Sequence, residues 1–265
     1  MLRLGLVGRD IGHSLSPRLH QIFLRQTGRP GDYSLFACNS AAEAQRVFDR
    51  FAAGGLDGLN VTTPYKVLAA ERFAPQLPSV NTLLWRGGLA TATSTDGAGL
   101  LAALGPLQPN VSVVVFGAGG AAQACVPALA AAGACVVVCA RNRAAAQAVA
   151  ATGSCAVAAW GDALALQQAQ RVVHLTRFGH GGEADSGAEW QWLPWVRWAA
   201  QGALVADAVY AQRAATAFEA LALAQGVRVL SGAGRAMLAA QAAEAFGHWT
   251  GTTPDWQAAL AELNR

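Results

Sequence analysis

The chain has 265 residues, 53% of them hydrophobic, and a formal net charge of +3, enough to bury a core in one large α/β domain or two modest ones. Its arginines are dispersed rather than gathered into a basic stripe, which argues against a nucleic-acid partner. Gly, Pro, Gln or charge interrupts each apolar run before the roughly 18 residues of a membrane span, and neither the five cysteines nor the five histidines are spaced for a metal, so no metal site is expected.

Residues 2–7 are an apolar run entering a glycine turn at Gly8, read as a buried strand. The run is too short for a signal peptide, so a cytoplasmic location is expected. Helical pattern follows over 17–26, a strand over 33–37, a helix over 42–53, a strand over 58–61 and a helix after Pro64. Residues 83–85 and 89–92 around Gly87-Gly88 predict a hairpin, and 96–104 a helix closed by Gly105-Pro106, where a domain boundary is placed. A second series starts from the strand-like segment 111–116 and runs through a glycine-rich turn into an alanine-rich helix. Segments 135–139, 172–175, 204–206 and 227–230 continue as short buried strands with helices between them, the pattern of a parallel sheet covered on both faces. Helices at about 235–250 and after Pro254 close the chain. Cys38, Cys125, Cys135, Cys139 and Cys155 fall mostly in apolar segments and read as reduced core residues.

Lys66 is the only lysine. Arginine holds its proton above about pH 12, whereas a lysine ammonium can give one up, so Lys66 is a candidate catalytic proton carrier. Asp96 either caps the helix it opens or faces Lys66 as a proton-handling pair. The turn Gly117-Ala118-Gly119-Gly120-Ala121-Ala122, between a strand and a helix, can present backbone N–H groups to a pyrophosphate, although tight turns also use glycine for steric reasons. Arg141 and Arg143, just beyond the next strand, favour a 2′-phosphate over a ribose hydroxyl and hence NADP over NAD. Ser14 and Ser16 suit a carboxylate, but Ser16 before Pro17 equally fits an N-cap.

Gly8, Ile11, His13-Ser14, Ser16-Pro17 and His20, then Asn60-Val61-Thr62, Pro64 and Lys66, then Val80-Asn81-Thr82, Thr95-Asp96-Gly97, the glycine turn, and Gly234, Met237-Leu238 and Gln241-Ala242 occur in the order of the shikimate dehydrogenase family. The chain resembles that family over nearly its whole length. The resemblance implies an N-terminal α/β substrate-binding catalytic domain over 1–97, completed by 235–265, and a Rossmann-type NADP domain over 98–234, with the C-terminal helix returning to the first domain and substrate in the cleft between them. It implies Lys66 and Asp96 as the catalytic pair. Ser14, Ser16 and Tyr210 would hold the substrate carboxylate, and Thr62, Asn81 and Gln241 its ring hydroxyls. Gly117, Ala118, Gly119, Gly120, Ala121, Arg141, Asn142 and Gly234 would contact NADP, with Met237 near the nicotinamide.

The expected activity is therefore NADP-dependent interconversion of shikimate and 3-dehydroshikimate, or a closely related cyclic hydroxy acid, by a monomer or homodimer. The alternative is a non-catalytic paralogue that binds shikimate-like ligands or nucleotide. Departures from the family pattern include Ser94 for an asparagine before Thr95, Ala140 for the asparagine before Arg141, and His174-Leu175-Thr176-Arg177 in place of an Asn-x-Thr segment. Trp190, Trp192, Trp195 and Trp198 match nothing in the family and are expected to pack onto the nucleotide domain.

Overall fold

Apolar residues Leu4, Leu6 and Val7 bury strand β1 (Leu2–Gly8), which pairs in parallel with β2 (Gly31–Ala37) through helix α1 (Ser16–Gln26). The computed structural model describes residues 1–176, 178, 188–210 and 215–265. Two units emerge, Met1–Gly99 with Leu238–Arg265, and Leu100–Met237.

In the first unit the chain continues through α2 (Ala41–Ala52), β3 (Gly58–Val61), α3 (Lys66–Phe73), β4 (Thr82–Arg86), β5 (Leu89–Thr93) and α4 (Asp96–Leu104), which runs on into the second unit. The sheet order is β2-β1-β3-β4-β5, with β3, β4 and β5 antiparallel in turn. The β4–β5 hairpin turns at Gly87 and Gly88, whose φ of 56° and 86° suit the tight turn that matches strand twist. In α1 the cap differs from the expectation. Ser16 is the first helical residue rather than the N-cap, and the Ser14 hydroxyl accepts its N–H at 3.2 Å.

The second unit contains β6 (Ser112–Phe116), α5 (Gly120–Ala131), β7 (Cys135–Cys139), α6 (Arg143–Thr152), β8 (Ala156–Ala158), α7 (Ala163–Leu166), β9 (Arg171–His174), α8 (Trp195–Ala200), β10 (Leu204–Asp207), α9 (Ala217–Ala224) and β11 (Arg228–Val229). Its strands are all parallel in the order β11-β10-β9-β6-β7-β8. The order reverses between β6 and β9, the switch point where doubly wound sheets bind ligands. Strand β8 was not anticipated, being only three residues of Ala, Val and Ala. Trp190, Trp195 and Trp198 are buried in this unit's core with Phe116 and Phe218, and Trp192 packs partly buried against them. Among the cysteines, Cys135 is exposed rather than buried, because it opens β7 at the sheet's entry.

Helices α10 (Ala233–Thr250) and α11 (Trp256–Leu263) end the chain, and from Leu238 onward they belong to the first unit. There Ala239, Ala242, Ala243 and Phe246 pack with Leu19, Ile22 and Phe23. The Gln26 amide donates to the Asp255 carbonyl at 3.2 Å, and Arg25 pairs with Glu262, fastening α11 to α1. Among the described residues no helix is long and apolar enough to cross a membrane.

Candidate active site

Lys66 is the first residue of α3 and Asp96 the first of α4, so two helix starts converge on one point. The ammonium Nζ lies 2.5 Å from Asp96 Oδ2, with the side chains 12% and 2% exposed. A carboxylate favours a helix N-terminus and an ammonium does not, so Asp96 supplies the charge that Lys66 needs at this position. The pair is thus an ion pair at the site and not merely a helix cap.

Asn81 organises the remaining groups. Its Nδ2 donates to Asp96 Oδ1 at 2.9 Å and to Gln241 Oε1 at 2.7 Å, and lies 3.1 Å from Thr95 Oγ1. Its Oδ1 accepts from the Thr95 N–H at 2.8 Å and the Thr82 hydroxyl at 2.9 Å. Asp96 is held at one oxygen by Lys66 and at the other by Asn81, so a single carboxylate orientation is selected. Asn60 stands behind this set. It donates to the Asn81 carbonyl at 3.2 Å and accepts the Tyr33 hydroxyl at 2.8 Å. In the sequence Asn60 and Thr95 stand out only as parts of motifs. The available signal was a polar residue inside an otherwise apolar strand segment, for Asn60, and a hydroxyl residue directly before Asp96, for Thr95.

Thr62 follows β3, with its N–H bonded to the Val7 carbonyl at 2.9 Å and its methyl group filling the space beside Gly8, where a Cβ would lie 2.3 Å from Thr62 Cγ2. Ser14 and Ser16 stand together at the start of α1. Ser14, Ser16, Thr62, Lys66, Asn81, Asp96 and Gln241 all belong to the first unit, whereas Tyr210 and the expected cofactor set belong to the second.

In the second unit a glycine turn joins β6 to α5. Gly117 has φ of +117° and would place a Cβ 2.9 Å from the Leu175 carbonyl oxygen, so only glycine fits. Gly119 caps α5 without a side-chain bond and faces open space, leaving its backbone free for close approach, and Gly120 and Ala121 begin the helix beside Ala118. Arg141 is exposed, 3.7 Å from Glu189. The side chain of Asn142 accepts the Ala145 N–H at 3.0 Å and so caps α6. Gly234 fits against Val209, whose carbonyl oxygen lies 2.4 Å from where a Cβ would stand. Met237 is buried among Val113, Val115 and Val173. Thr176 is described, but Arg177 lies outside the described residues. Among the described residues no group of three His, Cys, Asp or Glu side chains could hold a metal.

A family model for the shikimate dehydrogenase substrate binding domain matches residues 6–82. A shikimate dehydrogenase (NADP(+)) of Methylocella silvestris is 38% identical over 263 residues, covering 94% of this chain and 90% of the relative. The chain belongs to the shikimate dehydrogenase family. A crystal structure of shikimate 5-dehydrogenase from Thermus thermophilus with NADP(H) and shikimate superimposes with a TM-score of 0.83 at 31% identity, covering 100% of this chain and 99% of that one. Quinate dehydrogenase from Corynebacterium glutamicum with NAD gives 0.81 at 26% identity, covering 98% and 97%. Shikimate dehydrogenase family membership accounts for the two sheets and for the motif order. The Lys66–Asp96–Asn81–Gln241 cluster is seen directly in this chain's own geometry.

Proposed function

We propose that this protein is an NADP-dependent oxidoreductase interconverting shikimate and 3-dehydroshikimate. The observation that carries the reaction is the 2.5 Å Lys66–Asp96 contact, with Asn81 and Gln241 joined to it. NADP supplies the hydride acceptor in oxidation and its reduced form the donor in reduction. Lys66, as the neutral amine, takes the substrate hydroxyl proton in oxidation and, as the ammonium so formed, returns it in reduction, while Asp96 holds the Lys66 nitrogen in position beside that hydroxyl. Thr62, Asn81 and Gln241 bind the remaining ring hydroxyls, and Ser14, Ser16 and Tyr210 the carboxylate. Gly117 through Ala121 would receive the pyrophosphate, Arg141 the 2′-phosphate, and Asn142, Gly234 and Met237 complete the cofactor set. Retention of a titratable ammonium argues against a non-catalytic paralogue, since binding a hydroxyl alone does not require one. We further infer a cytoplasmic location, supported by an N-terminal apolar run too short for a signal peptide.

Purified protein with NADP and a panel of cyclic polyol acids, followed by nicotinamide absorbance, tests this reading. We expect oxidation of shikimate, weaker activity on quinate, and no saturation by an analogue lacking the carboxylate, since that analogue leaves the serine donors unpaired. Equal turnover of the carboxylate-free alcohol would overturn the substrate assignment.

Arg141 gives a separate test. Arg141→Ala should raise KM for NADP roughly tenfold or more, because a charge-assisted contact to phosphate is worth about 1.5–3 kcal/mol. KM for NAD should change little. Equal weakening of both cofactors would show that Arg141 does not read the 2′-phosphate.

A further inference from the structure

A buried polar network in the second unit takes no part in the proton handling described above. His174 ends β9 and Asp207 ends β10, they are register partners on neighbouring strands, and both are 0% exposed. His174 Nδ1 lies 2.8 Å from Asp207 Oδ1, and His174 Nε2 lies 2.5 Å from Thr176 Oγ1. The carboxylate also accepts the Val209 N–H at 2.9 Å and the Thr216 hydroxyl at 2.5 Å. Thr176 Oγ1 accepts the Phe178 N–H at 3.1 Å. One assignment of hydrogens satisfies these contacts: the imidazole donates from Nδ1 to Asp207 and accepts the Thr176 hydroxyl at Nε2. The ring plane is held by Phe218, stacked at 4.5 Å, and by Trp190, edge-on at 5.3 Å.

The two segments locked in this way lie directly against the glycines of the expected cofactor set. Leu175, between His174 and Thr176, donates its N–H to the Phe116 carbonyl at 2.8 Å and crowds Gly117. Val209, anchored through Asp207, crowds Gly234. The network also sits on the strand that flanks the β6–β9 switch point.

We infer that His174 and Asp207 are a positioning pair for NADP, fixing the backbone against which Gly117 and Gly234 rest and thereby setting how the cofactor is held. The inference rests on the reading of the second unit as the NADP site. An apolar residue at 174 would leave one Asp207 contact unmade and the Thr176 hydroxyl without its acceptor, both buried. Asparagine could keep the donor to Asp207, since its amide nitrogen occupies roughly the place of Nδ1.

The test compares His174→Leu, His174→Asn and Thr176→Val in the full chain, with NADP affinity measured by calorimetry and steady-state constants measured separately. His174→Leu should raise the NADP Kd about tenfold or more, leave KM for shikimate within about twofold, and be largely rescued by His174→Asn. Thr176→Val should raise the Kd by about threefold or more, and it decides the matter should His174→Leu fail to fold. Unchanged NADP affinity in the apolar variants, or a parallel rise in KM for shikimate, would overturn the inference. Calorimetry needs no turnover. A wild type that binds NADP yet oxidises no shikimate therefore defeats the proposed reaction while the Kd ratios still decide the positioning role. A wild type that does not bind NADP defeats both.

Discussion

Replacing Lys66 with arginine should lower kcat by about a hundredfold or more, the scale of a lost general acid–base group, while leaving KM for NADP near its wild-type value. The substitution keeps the charge, and Asp96 can still receive a hydrogen bond, so loss of the ion pair does not explain the effect. The difference is that guanidinium does not release its proton in the working pH range. Asp96→Asn provides the companion measurement. It removes the charge partner of an ammonium only 12% exposed and breaks the carboxylate that Asn81 orients, so it should also depress kcat, with a stability cost from the unpaired charge. Near-native turnover in Lys66→Arg would reduce Lys66 to a binding charge and withdraw it from proton transfer.

The second large effect concerns stability in acid. His20 is fully buried in the first unit's core, stacked on Tyr33 at 4.2 Å with an interplanar angle of 8°. Among the described residues neither ring nitrogen has a partner with hydrogen-bond geometry. Burial pushes its pKa down to about 3, with nearby Asn60 opposing this only in part. Asn60 already uses its side chain on Tyr33, Asn81 and Thr82. The unfolded chain takes up this proton near the ordinary value of about 6.5, while the folded chain refuses it until about pH 3. Between those values the unfolded state binds more protons, so stability falls as pH falls, by up to about 1.4 kcal/mol per pH unit from this group. His20→Phe preserves a planar ring in the stack and removes the titration. Urea unfolding at pH 6.5 and 4.5 should therefore show wild type losing about 2–3 kcal/mol more than the variant over that interval. A stability difference between the two proteins that does not change with pH would sink this account of His20.

Much of the fold was legible because its signals are local. Strands such as 58–61 and 135–139 coincide with β3 and β7, since their apolar runs are bounded by turn residues within a few positions. The hairpin followed from two adjacent glycines whose positive φ other residues rarely accept. Strand β8 escaped because alanine and a single valine carry little strand preference, and pairing with β7 decides its conformation. The cap of α1 falls on Leu15, without a side-chain cap bond, and not on Ser16 as residue type suggested, because the helix starts at Ser16 itself.

At the site, the sequence by itself determined which chemistry was available: one lysine, an aspartate at a helix start, a glycine turn after a strand and arginines beyond the next strand. These residue types act through properties they carry anywhere in a chain, namely a removable proton, a fixed negative charge, freedom at positive φ and a permanent cation. Only the tertiary structure decided which of them meet. Asn81 joins Thr95, Asp96 and Gln241, the last 160 residues away in the chain. His174 finds Asp207 because β9 and β10 pair in a particular register. Hydrogen bonds between side chains require positions fixed to within a fraction of an ångström, and those positions come from sheet register and helix packing, to which distant parts of the chain contribute together.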